Sequence, residues 1–280
     1  MAITNFQQSI WSRKFNKSLK KITSLRNHCD FKYEAETKNA KEVKILNVVR
    51  PTIKKYVPGT KIDREGATDG SITLKIDQYH YFNFEVDDVD KAQSVPGLME
   101  ELTDEATRGL SEEGDKYVAS LVKEGVEATD DTKLGQSENI IALNKSNAVR
   151  TVEDGFSYLY ENDCKPTDTY YLEVAPKPFT IYREALTELS TNNPEILKKG
   201  AVGKINNAYV CIENLLPKST AEDAIYNILR TNKAIAFAEQ INKVEAYRPQ
   251  DAFSDALKGL YTFGALITRP KEIYVIKTAA

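Results

Sequence analysis

SITLKIDQYHYFNFEVDDVDKAQSVPGLMEELTDEATRGLSEEGDKYVASLVKEG, residues 71–125, sets an alternating strand pattern directly before a long acidic helix pattern. Upstream, from Tyr33 to Ile76, the chain reads as a polar β ribbon. Val43-Lys44-Ile45 and Thr52-Ile53-Lys54 alternate, Pro51 and Pro58-Gly59 punctuate, and Gly66–Gly70 turns the chain back into Ser71–Ile76. Two strands alone are marginally stable in water, so a ribbon this polar needs a neighbour to lie on. Tyr79, Tyr81, Phe82 and Phe84 then form an aromatic strand that closes in Glu85–Asp90. Val95-Pro96-Gly97 opens the helix, which meets no breaker stronger than Gly109 or Gly114 before Gly125. That is about 28 residues and roughly 42 Å, longer than a small domain needs. Leu98, Leu102, Ala106, Leu110, Tyr117 and Leu121 mark a narrow apolar stripe, while Glu100, Glu101, Asp104 and Glu105 crowd another face with Glu112 and Glu113. Heptads would demand stricter apolarity, so a spine lying on a sheet fits better than a coiled coil. Ribbon and spine together predict a protein that buries its surfaces against copies of itself.

The chain has 280 residues, 41% of them hydrophobic, enough for one large or two smaller cores. No run of about 18 apolar residues occurs, and Met1–Ile10 has neither a charged n-region nor an apolar h-region. A soluble cytosolic protein with no membrane span is expected. Cys29, Cys164 and Cys211 are odd in number and far apart, which disfavours a disulfide framework or zinc knuckle and predicts buried free thiols. His28 adjoins Cys29, but neighbours in sequence do not present side chains to one another, and His80 lies inside the aromatic strand. Asp87, Asp88 and Asp90 lack the spacing, glycine and terminal glutamate of a calcium loop and are assigned to turn or capping duty. Gly200–Lys204 has two residues between its glycines where a phosphate loop needs four, and reads as a turn. No catalytic residue, metal or cofactor is expected, and the chain reads as a structural protein. The enzyme alternative would require a pocket near Glu173, Arg183 or Glu213.

A net charge of −3 conceals a division. Residues 1–29 carry six basic side chains and no acid, whereas residues 85–131 carry fifteen acids against four bases. Trp11, Phe15, Leu19 and Ile22 recur at helical spacing, with Arg13, Lys14, Lys17, Lys20 and Lys21 around the other faces. This basic amphipathic arm predicts an acidic docking surface or an anionic partner.

After a loop at Thr129–Ser137 the pattern becomes mixed α/β. Thr151 is the expected N-cap of a helix reaching Asn162, and Phe179–Leu189 forms a second helix after Pro178. Strands are expected at Thr169–Val174, Ala208–Ile212, Ala234–Ala238, Thr262–Thr268 and Ile273–Ile276.

The order of these parts resembles the tailed-bacteriophage major capsid proteins of the Hong Kong 97 type. The matching stretches are Ile76–Gln93 (IDQYHYFNFEVDDVDKAQ), Leu197–Asn214 (LKKGAVGKINNAYVCIEN) and Phe263–Ile276 (FGALITRPKEIYVI). The resemblance implies an α+β capsid fold: an N-terminal arm at 1–32, an extended hairpin or E-loop at 33–78, a peripheral domain at 79–139 and 243–266 with its spine helix near 96–125, and an axial α/β domain at 140–242 and 267–280. It implies pentamers and hexamers of an icosahedral head enclosing double-stranded DNA, assembled in the host cytoplasm. Inter-subunit contacts would then come from Trp11, Phe15, Leu19, Arg13, Lys14 and Lys17 of the arm, from Lys54, Lys55, Tyr56, Lys61 and Arg64 of the E-loop, and from the acidic spine face at Glu100, Glu101, Asp104 and Glu105. With only about 30 residues before the ribbon, a separate scaffolding protein is expected, with portal and decoration proteins as further partners and packaged DNA touched through non-specific charge. Lys54, Lys55 and Lys61 lie near the ribbon tip, but no receiving Asn or catalysing acid for a crosslink is identifiable. An encapsulin-like shell and a ring-forming tail or adaptor protein are the alternatives.

Overall fold

The computed structural model describes residues 25–37, 40–48, 53, 55, 58, 61, 69–87, 98–188, 204–219, 223–251 and 253–279. The ribbon is present as β1 (Glu42–Val48) and β2 (Asp69–Lys75), paired antiparallel from Glu42↔Lys75 to Val48↔Asp69. The aromatic strand, β3 (Gln78–Asp87), leads to the long helix α1 (Leu98–Glu127). The strand expected at Thr52-Ile53-Lys54, the aspartates after Asp87, the Val95-Pro96-Gly97 start and the Gly200–Gly203 turn lie wholly or mostly outside the described residues.

Beyond α1 come a short β4 (Gly135–Gln136), α2 (Ala148–Glu161), β5 (Tyr170–Val174), α3 (Pro176–Glu188), β6 (Lys204–Ile205), β7 (Ala208–Ile212), β8 (Lys218–Ser219), β9 (Ala224–Thr231), β10 (Ile235–Tyr247), β11 (Ser254–Ile267) and β12 (Ile273–Ala279). Strands β10, β11 and β3 form an antiparallel sheet in that order. A larger sheet runs β4-β12-β9-β5-β7-β6, with β8 on β9, and is mixed because β5–β7 and β4–β12 are parallel. The division expected at residues 242 and 243 falls inside β10, which stays paired with β11 from Ile235 to Tyr247 apart from an irregularity at Glu239/Ile241.

Three sequence expectations need correction. Helix α2 starts at Ala148, a turn before the cap assigned to Thr151, because Asn144 builds the turn instead: its Oδ1 accepts from the backbone N–H of Ser146 and Asn147 at 3.1 and 3.0 Å. Thr151 is a buried first-turn residue whose hydroxyl donates to the Asn147 carbonyl at 2.8 Å. The buried side of α1 is also rotated from the expected stripe. Leu102 is exposed, whereas Thr103, Thr107, Ser111 and Asp115 are buried in line with Leu110, Val118 and Val122. The small hydroxyls hide their polarity inside the helix, Thr107 Oγ1 donating to the Thr103 carbonyl at 2.7 Å and Ser111 Oγ to that of Thr107 at 3.0 Å. Finally, the centre of the larger sheet is a strand that sequence reading did not assign, β9, all eight of whose residues are buried.

Two cores result. One face of the larger sheet (Tyr170, Leu172, Val174, Leu229, Ile276) packs on α2 and α3 through Val152, Phe156, Leu159 and Tyr182. The opposite face contributes Ile228, Ile273 and Val275 to a core shared with α1 and with Phe237, Leu257, Tyr261 and Phe263 of the smaller sheet. Among the described residues the hairpin joins neither core. Its root, Ile45 and Leu74, packs on Ala236 and Ala238 of β10, while Leu46 is 69% exposed.

Candidate assembly surfaces and the buried clamp between the sheets

The outer surfaces and the joint that holds them are the features with chemistry to explain. Strand β3 alternates strictly, Phe82, Phe84 and Val86 turning inward and Tyr79, Tyr81, Asn83 and Glu85 outward. The outward side therefore carries an aromatic surface, with Tyr81 78% exposed and Tyr79, Tyr247 and Leu260 partly so. Lys243, Glu245 and Lys258 cross this side as an ion-paired row, Glu245 lying 2.6 and 3.1 Å from the two ammonium groups. A groove of about 370 Å³ opens between Tyr81, Asn83, Lys258 and Leu260.

Of the sequence-predicted contact residues, Lys55 and Lys61 are exposed, and Asp104 and Glu105 stand exposed on α1. Glu105 and Glu112 flank Arg108 at 4.0 and 3.1 Å, and Glu113 pairs with Lys116 at 2.6 Å, so part of the acidic face is self-compensated. Glu100 and Glu101 belong to α1. Trp11, Phe15, Leu19, Arg13, Lys14 and Lys17 of the arm, and Lys54, Tyr56 and Arg64 of the ribbon, lie outside the described residues.

Residues 25–31 run between the two sheets and are not a solvated continuation of the basic arm. Leu25, Arg26 and Cys29 are buried, and Asp30 bonds to β10 as an extra strand, its N–H donating to Ile235 O at 2.8 Å and its carbonyl accepting from Phe237 N at 3.0 Å. The arm count included Arg26, yet this side chain is 1% exposed and 2.9 Å from Glu239, with its hydrogen bond to Tyr261 Oη beside it. Its backbone N–H donates to Asp115 Oδ1 on α1 at 2.9 Å, which accounts for an aspartate on the buried side of a spine.

Strand β9 supplies the second half of the clamp. Arg230, fully buried, forks onto Glu173 of β5, Nη2 to Oε1 at 2.7 Å and Nε to Oε2 at 3.1 Å, and donates to the Leu25 carbonyl at 2.8 Å and the His28 carbonyl at 3.3 Å. Glu173 also takes His28 Nδ1 at 3.0 Å, and the His28 ring stacks on Tyr171 at 4.0 Å. Burial pushes the Glu173 carboxyl up, but the Arg230 charge and the His28 bond outweigh it and hold it below the ordinary carboxylate range. Burial opposes the charged form of His28, yet its bonds to Cys211 and Glu173 raise it to about 9. Sequence reading named Glu173 only as part of an enzyme alternative. Arg230, directly after Ile228 and Leu229, was the available signal, because a buried arginine requires a carboxylate partner.

The raised value carries a pH prediction. His28 titrates higher folded than unfolded, so its contribution is fully present below about pH 6.5 and disappears as pH rises through about 9. In Cys211→Ser, which leaves Glu173 as the ring's partner and no thiol titrating in the same window, unfolding free energy is expected to fall by on the order of 1–2 kcal/mol across it. Denaturant titrations of that variant at pH 6 and 9.5 should show the loss, and adding His28→Gln should remove most of it; equal losses in both proteins would assign the slope elsewhere.

No protein-family model matches the chain, and no curated protein sequence does. Solved structures do. A structure of Mycobacterium phage Che8 superposes with a TM-score of 0.77 at 22% identity, covering 91% of this chain and 90% of that one. The capsid structure of Cyanophage P-SCSP1u gives 0.70 at 15%, covering 86% and 84%. A virus-like particle from Pyrococcus furiosus gives 0.58 at 13%, covering 99% and 100%. The chain therefore has the α+β fold of the Hong Kong 97-type capsid proteins. Among the described residues no helix is long and apolar enough to cross a membrane, and no cluster of three His, Cys, Asp or Glu side chains is placed to hold a metal ion.

Proposed function

We propose that this protein is the major capsid protein of a tailed phage, a structural component of the virion that assembles with itself into pentamers and hexamers. One observation carries the reading: a capsid fold matched over nine-tenths of the chain, in which the described part of the hairpin packs on its own subunit at the root and leaves Leu46 exposed. An exposed, two-stranded element gains its missing burial from a neighbouring copy. In this reading the hairpin is the E-loop, α1 the spine of a peripheral domain built on β3, β10 and β11, and the larger sheet with α2 and α3 the axial domain. The arm, the ribbon lysines and the acidic face at Asp104 and Glu105 make inter-subunit contacts, and heterologous contacts around five- and sixfold axes close a shell. Scaffold, portal and decoration proteins, with packaged DNA, are its partners, and the chemistry is structural instead of enzymatic. The encapsulin-like reading draws on the weaker of the three superpositions.

Electron microscopy of negatively stained protein, alone and co-expressed with its scaffolding protein, tests this. Closed polyhedral particles are expected; rings or tubes would mean a tail or adaptor protein, and a persistent monomer in both preparations would reject assembly. A charge-reversed variant (Asp104→Lys, Glu105→Lys) is expected to misassemble while its unassembled subunit keeps its unfolding midpoint, because both side chains are solvent-exposed in the subunit. Particles of normal size and yield would show that this face meets only water.

A further inference from the structure

The clamp brings together three groups that its structural role does not need. Cys211 on β7 is paired in register with Glu173 on β5, and the residues two positions earlier, Tyr209 and Tyr171, are paired likewise. Side chains two apart on a strand share a face, so both tyrosines, the thiol and the carboxylate project together beneath residues 25–31. His28 lies across them, Nδ1 on Glu173 Oε1 at 3.0 Å and Nε2 3.7 Å from Cys211 Sγ. The carboxylate fixes the ring through Nδ1 and leaves Nε2 directed at the sulfur, the nucleophile, base and orienting acid order of thiol chemistry.

We propose that Cys211 and His28 form a thiolate–imidazolium pair, making Cys211 a site of covalent modification by low-molecular-weight disulfides and soft electrophiles. The proton shared by Sγ and Nε2 rests on nitrogen. With a disulfide, Cys211 Sγ forms a bond to one sulfur, the S–S bond breaks, and the departing sulfur carries away the electron pair and takes up the proton.

Several features support the pair. Glu173 is already shared with Arg230 and bonds the other ring nitrogen, so Cys211 is the anionisable group within reach of Nε2. Burial works against the ring's charge, but the Cys211 and Glu173 contacts prevail and set it at about 9. Tyr171 stacks on the imidazole at 4.0 Å and restrains the ring from tilting. Access exists as well: β6 pairs only with Tyr209 and Ala208, leaving the Cys211 end of β7 at an edge among the described residues, and Cys211 is partly exposed. The other two thiols differ. Cys29 and Cys164 are buried, and burial raises both, Cys164 to about 11.

Pulse alkylation of the folded full-length protein with iodoacetamide, read at each cysteine by peptide mass spectrometry from pH 6 to 8, tests the pair. In alkylation the C–S bond forms, C–I breaks and iodide leaves, while the proton stays on His28. An ordinary thiol is about 0.3% ionised at pH 6. Full ionisation therefore gains about 300-fold in thiolate and gives back roughly 20-fold in nucleophilicity. Cys211 should react about tenfold faster than glutathione at pH 6, with a nearly flat pH profile, and His28→Gln should restore the tenfold rise per pH unit. A wild-type Cys211 rate that climbs tenfold per unit, or that stays below glutathione at pH 6 while the denatured protein labels normally, would overturn the pair without bearing on shell assembly. The wild-type profile decides alone should the variant fail to fold.

Discussion

Replacing Glu173 with Gln is expected to cost about 3–5 kcal/mol of subunit stability. Glu173 has two cationic partners, Arg230 at 2.7 Å and His28 at 3.0 Å, and its side chain and that of Arg230 are 1% and 0% exposed. Removing its charge leaves a guanidinium in a dry joint with only carbonyl and thiol acceptors, and an uncompensated buried charge costs several kcal/mol where an exposed pair costs almost nothing. Arg230→Met is expected to cost less, because His28 remains to neutralise Glu173. The double variant Glu173→Leu, Arg230→Met should recover much of the loss, since no charge is then stranded and the site sits against apolar neighbours. Urea unfolding of the subunit measures the cycle. Limited trypsin digestion reads the location, since Glu173→Gln should expose the bond after Lys32 as residues 25–31 loosen. A single variant within 1 kcal/mol of wild type, or costs that simply add, would mean that the pair is not coupled as its geometry requires.

Gly264→Val is expected to displace the hairpin and to abolish assembly. A Cβ on Gly264 would sit 2.0 Å from the Lys75 carbonyl oxygen and 3.0 Å from Ile76 Cα. Both obstacles are backbone, so no rotamer relieves them and β2 must move. Movement there lifts Leu74 and Ile45 off Ala236 and Ala238, the contact that anchors the hairpin. Overpacking typically costs about 1–3 kcal/mol, and loss of the buried Leu74 site adds about 2–3. Gly109 supplies the opposite case. Nothing lies within 4 Å of its would-be Cβ, so Gly109→Ala on the exposed side of α1 should stabilise by about 0.5–1 kcal/mol. Thermal unfolding and particle yield separate the two: Gly264→Val subunits that still form normal shells would show that the crossing tolerates a side chain.

Local pattern carried the elements whose environment is one-sided. Strand β3 has water on one face and α1 on the other, so its aromatics alternate, and the long acidic helix is likewise a chain-local signal. Strand β9 has protein on both faces and shows no alternation, and its Asn227 and Arg230 read as loop residues until their partners are known. Those partners are 51 residues away at Thr278 and 57 away at Glu173. The buried side of α1 was misplaced for a related reason. Thr103, Thr107 and Ser111 look polar in sequence but satisfy their hydroxyls within the helix, and their small volume suits them to close packing.

By itself the sequence determined the order of parts: an exposed ribbon, an alternating strand, a spine and a mixed α/β body, because turn chemistry and periodicity act over a few residues. The tertiary structure alone decided that residues 25–31 belong to the interior, that Arg230 and Glu173 form the clamp, and that Cys211 faces His28. Each of these depends on a charge or thiol meeting its partner across a fold, and burial is favourable only for the pair together.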